Sequence, residues 1–445
     1  MFDKNKKLFK DEKSFNSYRK KRVVYTSEDF GVKVSKHFSG ASPPEIFVGR
    51  FNYPHVNAGI LSPNSFEGSE DMSMPERWYE KGFNIGQVLM RRNQLIYGRF
   101  KARVKDVRKS KGDNGIGVGE VGSNKGGRFL DVMKEISMAY KPVSTEMFLK
   151  KLPRRSNEVN RISPIITNVS PLDDAKLQEN PKVLKKVDYL VGDEHAKSVD
   201  SLNELFKSGV PVSNIMKILS AGLLGLKSQR RLVPTRWSIT AVDDTLSKNL
   251  LKRIRYYPEL DGIRLFHSEY NGNHYEILLL PGNFSFEVIE GEIKIGGVGN
   301  GVGGVGVGSG VGVANVGGVG SGVGGANVVF WQDFERFHGR KTYASGVVGA
   351  YYACRLAVCE YLERIKRQAT CLFFREVRPE YYAPLGVGIL REACRGAFEN
   401  EYEGFATISE ALEMMQERMR LNVDVYRERS ELLKEYGKQK KIWDF

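Results

Sequence analysis

The sequence predicts an α+β protein of two mixed domains, with short strands in both halves and a helical C-terminal end. The chain has 445 residues, which is too long for one ordinary hydrophobic core. Short apolar runs bounded by Gly, Pro and Asn occur in both halves and are typical of strands and tight turns. Apolar residues at helical spacing recur in the middle of the chain and near its end.

The first half is predicted to hold a basic flexible arm, residues 1–40, and an N-terminal α+β domain, residues 41–228. Residues 42–63 alternate Gly, Pro and Asn with apolar residues, which indicates short strands and tight turns. A short helix is expected within 85–97. Residues 181–226 carry apolar side chains at the spacing of helices that each bury one stripe.

The second half is predicted to form a C-terminal α+β domain, residues 229–436. Strand-like runs are expected after Leu232, and two of them, 262–270 and 274–280, are joined by Asn271-Gly272-Asn273. This tripeptide is a favourable hairpin turn because Asn and Gly tolerate positive φ. The remaining expected elements are helices in 344–367, 385–398 and 408–436 and a strand in 370–377.

A low-complexity segment, residues 296–325, interrupts the second predicted domain and consists mostly of Gly and Val. Glycine at this density loses too much chain entropy, and buries too little surface, to favour a membrane-spanning helix. The composition therefore indicates a flexible loop insertion without chemistry of its own.

The charge balance favours a polyanionic partner. Lys and Arg number 68 against 53 Asp and Glu, and the sequence pI is about 9.4. Such a surplus favours nucleic acid over an acidic membrane face. No signal peptide, anchor or spanning segment is evident, and four cysteines are few for a disulfide scaffold. We expect a cytoplasmic protein that binds no membrane and whose cysteines are buried thiols.

A basic segment, residues 227–237, is the first candidate site. Arg230, Arg231 and Arg236 are candidates to bind phosphate, and Trp237 is a candidate to stack on a base. The alternative is a solvated loop whose arginines pair with acids of the same protein.

Asp243 and Asp244 are the weak catalytic candidates, because adjacent carboxylates can hold Mg²⁺ for phosphodiester chemistry. We favour a helix N-terminus at this pair, where carboxylates stabilise the first turn. No cofactor is identified in the sequence, and Mg²⁺ is expected only if the protein is a hydrolase.

The chain ends in a short hydrophobic motif. Gln439, Ile442 and Phe445 are spaced so that one turn of 3₁₀-like helix brings them to the same side. This pattern matches the peptide by which proteins dock on the DNA sliding clamp, PCNA, with Ile442 and Phe445 in an apolar pocket and Trp443 displaced inward. The alternative is a tail that folds back and buries Trp443 and Phe445 on its own domain.

The segment 230–244, Arg-Arg-Leu-Val-Pro-Thr-Arg-Trp-Ser-Ile-Thr-Ala-Val-Asp-Asp, resembles the signature of the archaeal Nre DNA-repair family. The resemblance implies a role in DNA-damage repair and a C-terminal clamp-binding peptide, but no settled reaction. Some relatives carry an N-terminal four-cysteine zinc finger, which is missing here. The family usually has a tryptophan at the position of Gly388. Further similar segments are 47–59, 339–344, 349–362 and 375–387.

Three functions follow as hypotheses from these observations. The favoured one is a DNA-repair protein that PCNA recruits through the terminal peptide while the basic segment binds DNA. The alternative from another class is a metal-dependent hydrolase that acts on damaged DNA or nucleotides. A third is an RNA-binding protein that uses the same basic surface.

Overall fold

The computed structural model describes residues 35–108, 125–155, 162–294 and 327–438. Most of the predicted N-terminal arm, the glycine–valine segment and the terminal peptide from Gln439 onward lie outside the described residues. Within the described ranges the chain forms two mixed β-sheets with helices packed on them, so the predicted α+β class is confirmed. None of the helices in these ranges combines the length and the apolar character that a bilayer span requires.

The first sheet lies entirely within the first half of the chain. Its strand order is β1-β5-β7-β4-β3-β2, with β6 paired to β7. Among these pairs, β4 and β7 run parallel and the others antiparallel. The strands are β1 (His37–Ser42), β2 (Ile46–Val48), β3 (His55–Pro63), β4 (Leu95–Arg103), β5 (Val143–Leu149), β6 (Arg154–Arg155) and β7 (Asn168–Leu177).

Strand β4 shows how the two faces of this sheet differ. Ile96, Phe100 and Ala102 belong to the hydrophobic core, whereas the side chains between and after them, Arg99 and Lys101, are exposed. Successive side chains of a strand point to opposite faces, so along the outer part of β4 one face of the sheet is apolar and the other carries basic side chains. The helices of the first half are α1 (Pro75–Glu80), α2 (Ile85–Asn93), α3 (Lys125–Met138), α4 (Lys185–Gly192), α5 (Ser198–Lys207) and α6 (Val212–Ser220).

A long helix, α7 (Thr235–Ile254), connects the two halves. The prediction of a helix N-terminus at Asp243 and Asp244 was wrong, because this helix already begins at Thr235. Pro234 precedes the first helical residue, a position that proline tolerates because the first amides of a helix have no partner within it. Val242, Leu246 and Leu250 are buried, and they place α7 in the main hydrophobic core.

The second sheet has the strand order β11-β10-β12-β9-β8-β13. β8 and β9 form the predicted hairpin, in which Asn271 and Gly272 adopt φ values of 52° and 75°. The strands are β8 (Ile263–Tyr270), β9 (Asn273–Leu280), β10 (Ser285–Lys294), β11 (Asn327–Glu335), β12 (Thr370–Val377) and β13 (Glu403–Phe405). The helices are α8 (Gly349–Ile365), α9 (Val387–Ala397), α10 (Ile408–Arg418), α11 (Val423–Arg429) and α12 (Glu431–Glu435).

Helices cover both faces of the second sheet. Ile277 and Leu279 of β9 belong to the main core, together with residues of α7, α8 and α9. Leu278 and Leu280, which alternate with them, pack in a second core with α10, α11 and α12. The two sheets lie on either side of residue 228 in sequence, whereas the main core contains residues from both halves. The domain boundary near this residue stays a prediction.

A buried carboxylate fixes the last helices on the second sheet. Glu287 of β10 accepts hydrogen bonds from the Ser430 hydroxyl at 2.5 Å and from the backbone amides of Glu431 and Leu432 at 2.9 and 3.2 Å. The side-chain amide of Gln332 donates a further bond at 2.5 Å. Burial raises the pKa of Glu287, while these donors lower it. The carboxylate thus holds the start of α12 against the sheet.

We predict that Glu287→Gln lowers the free energy of unfolding by about 1 to 3 kcal/mol, because the new amide group would face several donors. Urea unfolding measures the total loss, and hydrogen exchange should show earlier opening of α12. Glu431→Gln is the matched control, since its carboxylate makes a surface pair with Lys434 at 2.9 Å. Equal losses in the two variants would contradict this role of Glu287.

Candidate nucleic-acid interface

A groove with a cavity volume of about 400 Å³ lies on the basic face of the first sheet. Strands β2, β4 and β7, the segments before β6 and β7, and the start of α7 all contribute to it. Among the described residues, its lining includes five cationic side chains and no acidic one. The cationic side chains are Arg50, Arg99, Lys151, Arg154 and Arg236.

The turn between β2 and β3 forms one wall of the groove, and two contacts hold it in place. Gly49 donates its amide hydrogen to the Asn57 carbonyl oxygen at 2.7 Å. The Val48 amide donates to the Thr235 hydroxyl at 2.9 Å. Thr235 is the first residue of α7, so this second bond joins the wall to the helix end that carries Arg236.

Arg236 and Arg50 are two cations held near each other. Burial first, and then the positive charge of Arg50, lower the pKa of the Arg236 guanidinium. An arginine nevertheless stays charged at neutral pH. Neither guanidinium forms an ion pair with an acid among the described residues. A phosphate between the two would relieve their repulsion and satisfy their donors.

Exposed aromatic rings border the same groove. Phe51, Tyr53 and Trp237 are 61%, 42% and 44% exposed. The Tyr53 and Trp237 ring centroids are 5.5 Å apart and their planes are inclined by 49°. The Arg50 guanidinium carbon lies 5.2 Å from the Phe51 ring centroid. Cations and stacking surfaces therefore lie side by side, as in proteins that bind nucleic acid.

The four predicted nucleic-acid residues divide into separate environments. Arg236 lines the groove and Trp237 contacts Tyr53 next to it. Arg231 is exposed, outside the lining of the groove. Arg230 donates to the backbone carbonyl oxygens of Gly225, Val191 and Asp193 at 2.6 to 2.8 Å. Its guanidinium holds neighbouring loops together, and a contact of Arg230 or Arg231 with nucleic acid stays a prediction.

Asp243 lies in the interior of α7, not at its N-terminus as predicted. The helix begins two turns earlier, at Thr235. Asp243 and Arg391 of α9 form a fully buried ion pair, with 3.0 Å between Oδ1 and Nη1. Burial raises the pKa of Asp243 to about 6, although the positive charge of Arg391 opposes this change.

Asp244 faces a different set of partners from Asp243. One of its oxygens accepts a hydrogen bond from Arg355 of α8, and the other lies 2.7 Å from the Lys248 ammonium. Arg355 also pairs with the buried Glu335 at 2.9 Å. The two aspartates thus point to separate arginines, because adjacent positions of a helix do not face each other.

Two further predictions from the sequence concern a possible metal site and the state of the four cysteines. Within the described ranges, no three or more His, Cys, Asp or Glu side chains come together in an arrangement that could hold a metal ion. The Mg²⁺ role of Asp243 and Asp244 stays a prediction. The four cysteines are buried and free, as expected from their number.

Comparisons with known proteins cover almost the whole chain. The family model described as "Archaeal Nre, N-terminal" matches residues 20–295, and "Archaeal Nre, C-terminal" matches residues 335–445. The chain belongs to the archaeal Nre family. It is 33% identical to a DNA repair protein NreB of Archaeoglobus fulgidus over 93% of both chains. It is also 33% identical to a DNA repair protein NreA of Haloferax volcanii, over 91% of this chain and 88% of that protein. No solved structure gives a significant match.

The surroundings of Gly388, the position at which the resemblance to the Nre family implies a tryptophan, leave little room. A Cβ atom added at this position would lie 2.7 Å from Cγ of Pro75. Pro75 begins helix α1, which packs on α9 here. In this Nre chain the proline takes the space next to residue 388, so a larger side chain would require α1 to move.

The sequence analysis missed most residues of the groove. Arg50, Phe51 and Tyr53 lie in a segment for which the sequence predicted strands and turns and a resemblance to the Nre family, but no binding role. The available signal was an arginine between aromatic residues in a segment rich in Gly, Asn and Pro. Such a composition indicates a turn, and a turn places the side chains of Arg50, Phe51 and Tyr53 at the surface. Arg99 and Lys101 alternate with apolar residues in β4, a pattern that indicates a basic sheet face.

We predict that the contribution of Asp243 to the stability of this Nre chain falls between about pH 4 and pH 6. The pKa of this carboxyl is about 6 in the fold, against an ordinary value of 3.8. The folded state therefore binds the proton of Asp243 more tightly than the unfolded state does. This contribution to the free energy of unfolding is lost as pH rises through about 4 to 6. Relative to Asp243→Asn, the wild-type free energy of unfolding should drop by about 3 kcal/mol across this range.

Urea unfolding at several pH values tests this prediction. Asp200→Asn is the control, because Asp200 is an exposed aspartate of α5. A flat difference between wild type and Asp243→Asn, or an equal trend in the control, would show that Asp243 does not titrate as described.

Proposed function

We propose that this chain is a DNA-repair protein that binds DNA in the basic groove and is recruited by PCNA through its terminal peptide. The groove itself is the observation that supports the proposed DNA binding. Five cations converge there with no acid among the described lining residues, and two of them, Arg50 and Arg236, repel each other. The positive charges of such a site are balanced when an anion is bound.

The names of the relatives support the repair role. The proteins from Archaeoglobus fulgidus and Haloferax volcanii are each named as DNA repair proteins. Their likeness extends over about nine-tenths of this chain, so it includes the groove and the second sheet alike. Shared length and shared family favour the same role for this chain.

The charge distribution supports DNA as the anion. The chain carries a formal net charge of +15. The basic face extends beyond the groove, because Lys101 and Arg103 continue the exposed row that Arg99 begins on β4. Residues at every second position of a strand lie on the same face and are about 7 Å apart. A row of cations can therefore follow a DNA backbone.

The end of the described chain supports a peptide free to bind PCNA. Tyr436 closes α12 and donates its hydroxyl hydrogen to the Pro281 carbonyl oxygen at 2.9 Å. Gly437 follows with φ of 75°, and Lys438 is exposed. The chain thus reaches the surface directly before Gln439, where the clamp-binding motif begins. Glu287 holds α12 on the second sheet, so the base of the peptide is fixed.

The two proposed contacts, DNA in the groove and PCNA at the terminal peptide, can act together. A short clamp-binding peptide alone gives about micromolar affinity, or about −8 kcal/mol. When the groove also holds DNA that passes through the clamp, the second contact becomes intramolecular and the combined affinity rises. Recruitment of this kind requires neither contact to be strong by itself.

We predict that Arg50→Gln with Arg99→Gln weakens binding to DNA and lowers its dependence on salt. Each lost phosphate contact should reduce the slope of log affinity against log salt by about 0.7 for a single strand or about 0.9 for a duplex, so the double variant should lose about 1.4 to 1.8. Fluorescence anisotropy with labelled DNA at several salt concentrations measures the slope. Arg427→Gln is the control, since Arg427 is exposed on α11 at the second sheet. An unchanged slope in the double variant would move the DNA contact away from the groove.

We predict that removal of the terminal peptide abolishes capture by PCNA. Full-length chain should bind the clamp of its own host, whereas a chain that ends at Gly437, or one with Ile442→Ala and Phe445→Ala, should not. Asp444→Ala in the same peptide is the matched control and should still bind. If the truncated chain is captured as well as the full-length one, PCNA contacts another part of the protein.

A further inference from the structure

The aromatic side chains beside the groove have no role in holding DNA phosphates. Phe51, Tyr53 and Trp237 are all well exposed, and so is Tyr343 at 53%. Exposed aromatic surface is costly in water, and a contiguous group of such rings on a soluble protein marks a binding surface. The group belongs to the same site, because Phe51 lines the groove and Trp237 directly follows Arg236, which also lines it, in the first turn of α7.

The rings leave their faces open to a planar partner. The Tyr53 and Trp237 planes are inclined by 49°, so neither ring covers the face of the other. Phe51 has the Arg50 guanidinium near one face and remains largely exposed. Nucleic-acid bases are the planar groups that accompany phosphates, and every base has two π faces on which an aromatic ring can stack.

Only an unpaired base presents those faces. In a duplex the base faces are stacked on each other, and a protein reads the edges with a helix or ribbon that enters a groove of the DNA. This site is concave instead, with a volume of about 400 Å³, which is in the range of pockets that enclose a small-molecule ligand. A nucleotide released from its stack fits such a site, whereas an intact duplex does not enter it.

We propose that the groove and its aromatic border bind single-stranded DNA, with phosphates on the arginines and unpaired bases on Phe51, Tyr53 and Trp237. This inference rests on the proposed DNA binding and specifies its substrate. Gapped or locally melted DNA provides such strands at sites of damage.

The test compares affinities of the full-length chain for a single strand, a duplex and a gapped duplex of one sequence, and for the matching RNA strand. Wild-type chain should prefer the single strand and the gap over the duplex. Phe51→Ala with Trp237→Ala should lower the ratio of single-strand to duplex affinity by about tenfold. Trp237→Phe, with Phe51 intact, should keep most of the ratio because it retains an aromatic face.

The control and the readouts separate the possible outcomes. Tyr256→Ala removes an aromatic residue that is 88% exposed just past the far end of α7, and it should leave the ratio unchanged. Thermal unfolding checks that each variant is folded. Equal affinity of wild type for single strand and duplex would overturn this inference while the proposed DNA binding stands. Failure to bind any DNA would overturn both, and tighter binding to RNA would replace DNA as the substrate.

Discussion

The buried ion pair between Asp243 and Arg391 is the constraint on which the position of the groove depends. Both side chains are fully buried, so the loss of either partner would leave an uncompensated charge at a cost of about 3 to 5 kcal/mol. The pair links α7 to α9, and the buried residues of α7 hold that helix in the main hydrophobic core. Thr235, Arg236 and Trp237 at the start of α7 are thereby held against β2, where the Val48 amide meets the Thr235 hydroxyl. The groove is thus lined by residues from both halves of the chain.

The core and the groove use charge in opposite ways. In the core each buried arginine has a carboxylate, as Arg391 has Asp243 and Arg355 has Glu335. In the groove Arg236 is partly buried beside another cation, and the described residues supply it with no acid. Such an arrangement lowers the stability of the fold slightly, which is expected of a functional site. The contrast distinguishes a binding surface from the structural ion pairs around it.

Local signals in the sequence predicted much of the fold and little of the site. Asn271 and Gly272 specified the hairpin, and apolar stripes specified the helices between 181 and 226, because these patterns involve near neighbours only. Helix α7 was missed since its buried residues occupy several sides and leave no clear apolar stripe. The groove collects residues from distant segments around Arg50, Arg99 and Arg236, and no local pattern relates them. Asp243 and Asp244 looked like a pair because they are adjacent, yet the helix turns them toward different arginines.

Hydrogen exchange of the full-length chain, with and without single-stranded DNA, tests the groove most directly. The account predicts slower exchange on DNA binding in the turn between Val48 and His55, in the outer part of β4 and at the first turn of α7. Backbone amides of α10, α11 and α12 should exchange at the same rate in both states. Protection confined to the second sheet and its helices, with no change in the turn after β2, would contradict the assignment of this groove as the DNA-binding surface.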